Sequence, residues 1–317
     1  MNISKLFLIV SVFLFPSLLY SQEWEKSTIL QSNNDIEIEE IVEDQDSNIY
    51  VAGKFKGAIE NISPSISSYD DNPDIFIAKY NSSLERKWIK KIEGPSYDYR
   101  PKIGIYEDTL IISGTFMDVI YFTESDSLEA VGGLDVFVSK YTLDGNFQDC
   151  ELLYWGPNYQ YTENIKILND GEYVISGFFY DDSVNIHNDT ILRATENTYH
   201  PFFSKHKISS NEVIWSRYYE NSNLNTRYTH IANYNNSIIF SGYFRDSLNL
   251  DVDTIVSKGG TRDLFVYLIN QEGNGQWVRR TYGSSNEGVS ALSYDNYGNL
   301  YSGGYYRSNN FVVDSTS

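Results

Sequence analysis

The chain has 317 residues, with 24 basic against 43 acidic side chains and a formal net charge of −19. A surface that acidic repels polyanions at long range, so nucleic acid is excluded as an expected partner, whereas basic proteins, cations and neutral glycans are not. A lone cysteine, Cys150, excludes an intramolecular disulfide, so the fold must rest on packing and strand pairing, to which 27 tyrosines suited to half-buried sheet faces contribute.

The first residues, Met1 to Lys5, carry one positive charge and lead into an almost uninterrupted apolar run from Leu6 to Leu19. Residues 1–21 read as a secretory signal peptide cleaved after Ser21, which predicts a protein that is secreted or displayed on the outer cell surface. No cysteine lies near the cleavage point to take a lipid. No later apolar run approaches the roughly 20 residues of a membrane helix, so no transmembrane segment is expected.

From residue 22 onward the chain reads as an array. The pattern small residue, Gly, any residue, aromatic returns at Gly53, Gly114, Gly177, Gly242 and Gly304, at a nearly even spacing. A period of roughly 60 residues is too long for a helical-pair solenoid and fits one small antiparallel sheet per repeat. The predicted fold class is therefore all-β, a β-propeller of four-stranded blades. A strand remnant occupies 22–38, blades follow at about 39–99, 100–161, 162–226 and 227–288, and a partial blade at 289–317.

Within the first blade the strands are read as Glu39 to Glu43, Ile49 to Phe55, Asp74 to Tyr80 and Lys87 to Ile92. The third strand recurs from Asp135, His200 and Asp263, with Pro201 expected to weaken it in the third repeat. The fourth carries Trp88, Trp215 and Trp277, while the second repeat has Asp149 at that offset. Turn residues such as Asp44 to Asn48, Asp144-Gly145 and Gly273-Asn274 punctuate the strands, because Gly and Asn tolerate positive φ and Asp bonds its own backbone. Asp126, Asp189, Asp253 and Asp314 each open a small extra hairpin that the first repeat is expected to lack. Trp24 lies one period before Trp88 and suggests an orphan fourth strand. The fifth repeat stops before an Asp-x-Phe strand, which predicts an incomplete ring and a piece of a longer product.

These residues resemble the bacterial seven-bladed β-propeller repeat family, SBBP. The likeness lies in Asp44 to Gly53 (Asp-x-Asp-x-Asn-Ile-Tyr-Val-Ala-Gly), in Gly132 to Lys140 (Gly-Gly-x-Asp-x-Phe-Val-x-Lys), in Gly145 to Phe147 and in Gly273 to Trp277. It implies an exported or surface-displayed propeller with no general catalytic residue set. Many relatives carry a C-terminal sorting domain, and this sequence shows nothing like one.

In a propeller the connections from fourth to first strand and from second to third share the usual ligand face. There fall Gly94-Pro95-Ser96-Tyr97-Asp98-Tyr99 and, one period later, Gly156-Pro157-Asn158-Tyr159-Gln160-Tyr161. Tyr97, Asp98, Tyr99, Tyr159 and Tyr161 are the candidate ligand-binding residues, since tyrosines beside an amide or acid make flat apolar platforms with polar edges, suited to a glycan or a protein partner. The alternative for these tyrosines is packing between blades. Asp44, Asp46 and Asn48 are spaced like the start of a calcium loop, but its twelfth position is Phe55, inside a strand, so a plain turn and no cofactor are expected. Asp74, Asp135 and Asp263 are expected to bond turn amides. His187, His200, His206 and His230 show no ligand spacing, and no nucleophile motif accompanies Cys150.

Three functions remain: a non-catalytic binding or display module at the cell envelope, a carbohydrate-active hydrolase or lyase with carboxylates at the propeller face, and a structural spacer within a larger surface protein. The first is the expectation.

Overall fold

The computed structural model describes residues 5–9, 26–168, 170–180, 183–187, 190–193, 199–219, 226–234, 237–295, 297–310 and 312–313. Every regular element among them is a strand, and the strand pairs with a defined register are antiparallel except where Leu134 meets Tyr159. Trp24, most of the expected signal segment, Asp189 and residues 314–317 lie outside the described residues.

By internal contacts the chain forms two units, Met1–Glu129 with Val138–Glu151, and Ala130–Phe137 with Leu152–Ser317. In the first, Lys5–Ile9 (β1) pairs with Ser27–Gln31 (β2). The first repeat then runs Asp35–Glu43 (β3), Ile49–Lys56 (β4), Ala58–Ile59 (β5), Ile66–Ser67 (β6), Asp74–Tyr80 (β7) and Arg86–Ile92 (β8), with the sheet order β3-β4-β7-β8. The small pair β5–β6 corrects the expectation that this repeat lacks the extra hairpin. Its arms are too short to carry a sequence signature, and it is held from outside: Ser32 bridges Ile59, and the Asn33 amide donates to the Ala58 carbonyl at 3.0 Å. The second repeat, Asp98–Tyr106 (β9), Thr109–Tyr121 (β10), Ser127–Thr142 (β11) and Phe147–Trp155 (β12), lends parts of β11 and β12 to the second unit.

In the second unit the third repeat comprises Tyr159–Ile167 (β13), Glu172–Tyr180 (β14), Ser183–Ile186 (β15), Thr190–Arg193 (β16), Tyr199–Lys207 (β17) and Val213–Tyr218 (β18). The fourth comprises Arg227–Tyr234 (β19), Ser237–Phe244 (β20), Ser247–Asn249 (β21), Thr254–Val256 (β22), Asp263–Asn270 (β23) and Gly275–Tyr282 (β24). The sheet orders are β13-β14-β17-β18 and β19-β20-β23-β24. Glu287–Tyr294 (β25) pairs with Leu300–Tyr306 (β26), and Val312–Val313 (β27) lies on β24. Pro201 does not interrupt its strand: β17 continues for nine residues through it, with Phe178 opposite in register.

The repeat glycine has a steric cause. In four of the five registers the first strand carries a β-bulge where it faces the glycine of the second, between Ile38 and Glu40, Thr162 and Asn164, Tyr228 and His230, and Val289 and Ala291; in the second repeat the register shifts at Gly114 itself. The bulge pushes a carbonyl inward. A Cβ on Gly53 would lie 2.1 Å from the Glu37 oxygen and 2.7 Å from the Phe76 ring, and one on Gly177 1.9 Å from the Tyr161 oxygen and 2.8 Å from the Phe202 ring. The glycine is thus a slot between a bulged backbone and a third-strand phenylalanine.

Each unit has its own apolar core, built from the alternate residues of these strands. In the first, Ile36, Val51, Phe55, Phe76 and Tyr80 cluster; in the second, Val174, Phe203, Phe240, Phe265 and Tyr267 do. Successive repeats are also tied at their turns. Trp88 Nε1 donates to the Leu143 carbonyl at 3.2 Å and Trp215 Nε1 to the Gln271 carbonyl at 2.7 Å, with the ring of each lying against the turn glycine, Gly145 or Gly273. Lys79 Nζ reaches the same Leu143 carbonyl at 3.1 Å.

Two alanine substitutions test the slot. Gly177→Ala is expected to cost about 3 kcal/mol, since the backbone must move to admit the methyl group. Gly303→Ala, whose methyl would meet only Ala291 Cβ at 3.9 Å, should change stability by less than about 0.5 kcal/mol. Urea denaturation of the two variants measures the difference.

Candidate functional site: the carboxylate joints and the tyrosine loops

A third-strand aspartate begins β7 and β23 and lies within β11, and each is fully buried. Burial of a carboxylate demands donors, and the loops supply them. Asp74 accepts the Gly94 amide on Oδ1 at 3.2 Å and the Tyr69 amide on Oδ2. Asp135 accepts the Gly156 amide at 3.2 Å and the Val131 amide at 2.6 Å. Asp263 accepts the Lys258 amide at 2.7 Å, and the Gly283 amide also favours its ionised form. The recurrent aspartate therefore bonds turn amides, as the sequence leads one to expect. The glycine beginning each loop is needed for close approach, since a Cβ on Gly94 would stand 2.2 Å from the Val119 carbonyl.

What the sequence does not announce is the counterpart of that aspartate. Near the start of the next first strand stands another buried polar residue: Asp98 after Asp74, Gln160 after Asp135, Thr226 after His200 and Glu287 after Asp263. Backbone bonds set the position, with the Asp98 amide donating to the Pro73 carbonyl at 3.1 Å and the Glu287 amide to the Arg262 carbonyl at 2.8 Å. Two of these joints thus place carboxyl beside carboxyl. Among the described residues no N–H donor reaches either oxygen of Asp98, and its neighbour is the Asp74 carboxyl. Burial, and then the Asp74 charge, push Asp98 well above the usual carboxylate range. Burial also raises Asp74 to about 6, against the pull of the Tyr69 and Gly94 amides. Burial raises Asp263 to about 7; the Lys258 amide opposes this and Glu287 adds to it. Two buried acids in contact hold a proton between them. At the Asp135–Gln160 joint the amide side chain brings donors of its own.

The two tyrosine loops belong to different units. In the first, Tyr97 is 51% exposed at the loop tip, Asp98 is the buried acid just described, and Tyr99 is half-buried with the Arg100 guanidinium 6.0 Å from its ring. In the second, Tyr159 is 39% exposed and tilted 6.5 Å from Tyr161. The Tyr161 ring stacks on Phe178 at 4.5 Å, and Arg227 covers Phe178 at 4.4 Å while pairing with Glu163 at 3.1 Å. Exposed aromatic surface thus lies at Tyr97 and Tyr159, whereas Tyr161 joins a packed column. Asp98 faces the joint and offers a ligand no surface. The first unit adds a feature outside every repeat motif: Tyr69 and Tyr121, 54% and 36% exposed, stack at 6.2 Å with planes 13° apart. The Tyr69 and Gly94 amides flank one carboxylate, so this pair stands beside the loop that carries Tyr97.

The other candidates resolve into structure. Asp44 accepts the Asp46 and Asn48 amides at 3.0 and 2.8 Å on Oδ1, and Asn48 Nδ2 and the Tyr50 hydroxyl on Oδ2 at 2.9 and 3.1 Å; Asp295 repeats the arrangement. These bonds make an Asx-type turn at each place, and among the described residues no group of three or more acidic, His or Cys side chains is gathered. His206 is fully buried, bonded to Ser204 Oγ, the Tyr154 hydroxyl and the Asn211 carbonyl, and burial lowers it to about 4. Burial, then the Asp149 charge, raise the Cys150 thiol to about 12, far from a reactive thiolate. The chain matches no family model and is similar to no curated protein.

The carboxyl joints predict a loss of stability as pH rises from acid to neutral. Their folded pKa values exceed the unfolded value of 3.8, so between about pH 4 and 7 the unfolded chain binds fewer protons and stability falls as pH rises. Asp98→Asn and Glu287→Gln should each remove on the order of 1–3 kcal/mol of that fall, allowing for partial screening. Urea midpoints at pH 5 and pH 8 check this, and parallel slopes for wild type and variants would show that no proton is shared.

Proposed function

We propose that the four-stranded repeats are blades of an exported β-propeller of the kind the SBBP resemblance implies. It serves as a non-catalytic binding or display module at the cell envelope, contacting a glycan or a protein through its tyrosine-bearing loops. The recurrence of one antiparallel strand order supports the architecture, together with the joints that link successive repeats at their turns and at their loops. The observation that carries the binding reading is the set of exposed rings, Tyr97 with the Tyr69–Tyr121 stack in one unit and Tyr159 in the other. Flat aromatic faces rimmed by hydroxyls take sugar rings or partner side chains without catalytic groups.

The paired carboxyls do not favour a glycoside-cleaving reading. Such enzymes place a sugar between two acids roughly 5–9.5 Å apart, whereas Asp74, Asp98, Asp263 and Glu287 are closed off from solvent. A spacer role would leave the exposed rings without a use.

The double variant Tyr97→Ala/Tyr159→Ala is expected to lose at least about tenfold in capture on a panel of immobilised glycans and envelope proteins. Its melting temperature should stay within about 2 °C of wild type. Undiminished capture by the double variant would remove these loops from the binding site.

A further inference from the structure

Tyr69 stands between β6 and β7, and Tyr121 ends β10. Both rings are exposed, yet both backbones are held. The Tyr69 amide is bound to Asp74, and the Ser68 amide before it donates to the Gly57 carbonyl at 2.8 Å. Tyr121 and Glu93 exchange both main-chain bonds, at 2.8 and 3.2 Å. Lys91 ties the two carriers together: its ammonium donates to the Ser67 carbonyl at 3.2 Å and pairs with the Glu93 carboxylate.

The faces of two parallel rings in contact lie about 3.5–4 Å apart, so centroids 6.2 Å apart leave these rings slipped sideways by roughly 5 Å. Each keeps most of a face that the other does not cover, and the pair makes two parallel apolar steps. The polar groups at its border cancel. The Lys91 and Glu93 side chains, 35% and 24% exposed, are paired with each other. Asp70, next to Tyr69, is taken up by its own turn, accepting the Asn72 amide at 2.6 Å and Asn72 Nδ2 at 3.3 Å. Such a border offers donors and acceptors without a net charge to be neutralised.

A neutral pyranose has the matching character, with C–H groups on its ring faces, hydroxyls around its rim and no charge. An anionic glycan would meet the field of a chain of net charge −19, and a basic peptide would have to displace Lys91 from Glu93. We infer that the Tyr69–Tyr121 pair is a subsite for a neutral oligosaccharide, with successive sugar rings laid on the two steps and their hydroxyls bonded at the Lys91–Glu93 pair. The inference rests on the binding reading above and gives it a ligand class and a place. Because the backbones that carry the rings are already fixed, little freedom is lost when a ligand settles on them.

The probes are neutral hexasaccharides of glucose, mannose, galactose and xylose, a hyaluronan hexasaccharide as the anionic case and hexalysine as the basic peptide, each titrated into the full chain by calorimetry. The expected result is saturable binding of at least one neutral hexasaccharide, about tenfold or more weaker in Tyr69→Ala and in Tyr121→Ala, and within about threefold of wild type in Tyr121→Phe, which keeps the ring. The alanine variants retain the main-chain bonds of both residues, and their urea midpoints separate a lost contact from a lost fold. Hydrogen exchange of the wild type, which depends on no variant, should show ligand protection at residues 67–70 and 120–122. No saturation by any neutral hexasaccharide up to about 10 mM, tighter binding of hyaluronan or hexalysine, or a neutral ligand held undiminished by both alanine variants would each overturn the inference. A glycan or envelope protein lost by Tyr97→Ala/Tyr159→Ala but kept by Tyr69→Ala and Tyr121→Ala would overturn this subsite alone and leave the broader binding reading standing.

Discussion

The approach of a bulged first strand to a bare glycine in the second is the contact on which the first, third and fourth repeats are built. Two backbones come closer there than any side chain permits, and a phenylalanine from the third strand closes the gap from the other side. One point therefore fixes three strands relative to one another: the bulge sets the twist, the glycine sets the separation, and the ring sets the register. The extra hairpin between second and third strands can then vary in length, from two residues per arm at β5–β6 to four at β15–β16, without disturbing the sheet.

Repeats are joined by a different chemistry at each end. At one, indole and ammonium donors of an earlier repeat meet the carbonyls of a later turn. At the other, a buried acid is clamped by loop amides and faces a second polar side chain from the following repeat. The loops that bear the exposed tyrosines are the same loops whose glycine amides hold that acid. Ligand-facing surface and structural joint are thus parts of one short segment, with Tyr97 and Asp98 adjacent in sequence but opposite in environment.

The repeat period, the strand order, the turn chemistry of Asp44 and the amide-bonding of Asp74, Asp135 and Asp263 were legible in the sequence, because each leaves a fixed residue type at a fixed spacing. The joint partners were not. Asp98, Gln160, Thr226 and Glu287 share only polarity and burial, so alignment by residue identity passes over them, and Asp98 reads as part of a polar rim when taken with its tyrosine neighbours. The hairpin of the first repeat carries no Asp-led motif of the kind that marks the others, and Ser32 and Asn33 hold it together with the Gly57–Ser68 bonds at its base. Tyr69 and Tyr121 stack across a long stretch of sequence, and the positions equivalent to Tyr69 carry Val131 and Lys258, so alignment of the repeats does not point to the pair.

The mixture of joint chemistries means that the array is not uniform along its length. Two of its joints set acid beside acid, while Asp135 has an amide, Gln160, as its counterpart and His200 an alcohol, Thr226. Rising pH therefore bears on the joints where the first repeat meets the second, at Asp74 and Asp98, and where the fourth meets the fifth, at Asp263. What differs from joint to joint is the polar residue at the head of the following first strand, an acid at Asp98 and Glu287, an amide at Gln160 and an alcohol at Thr226.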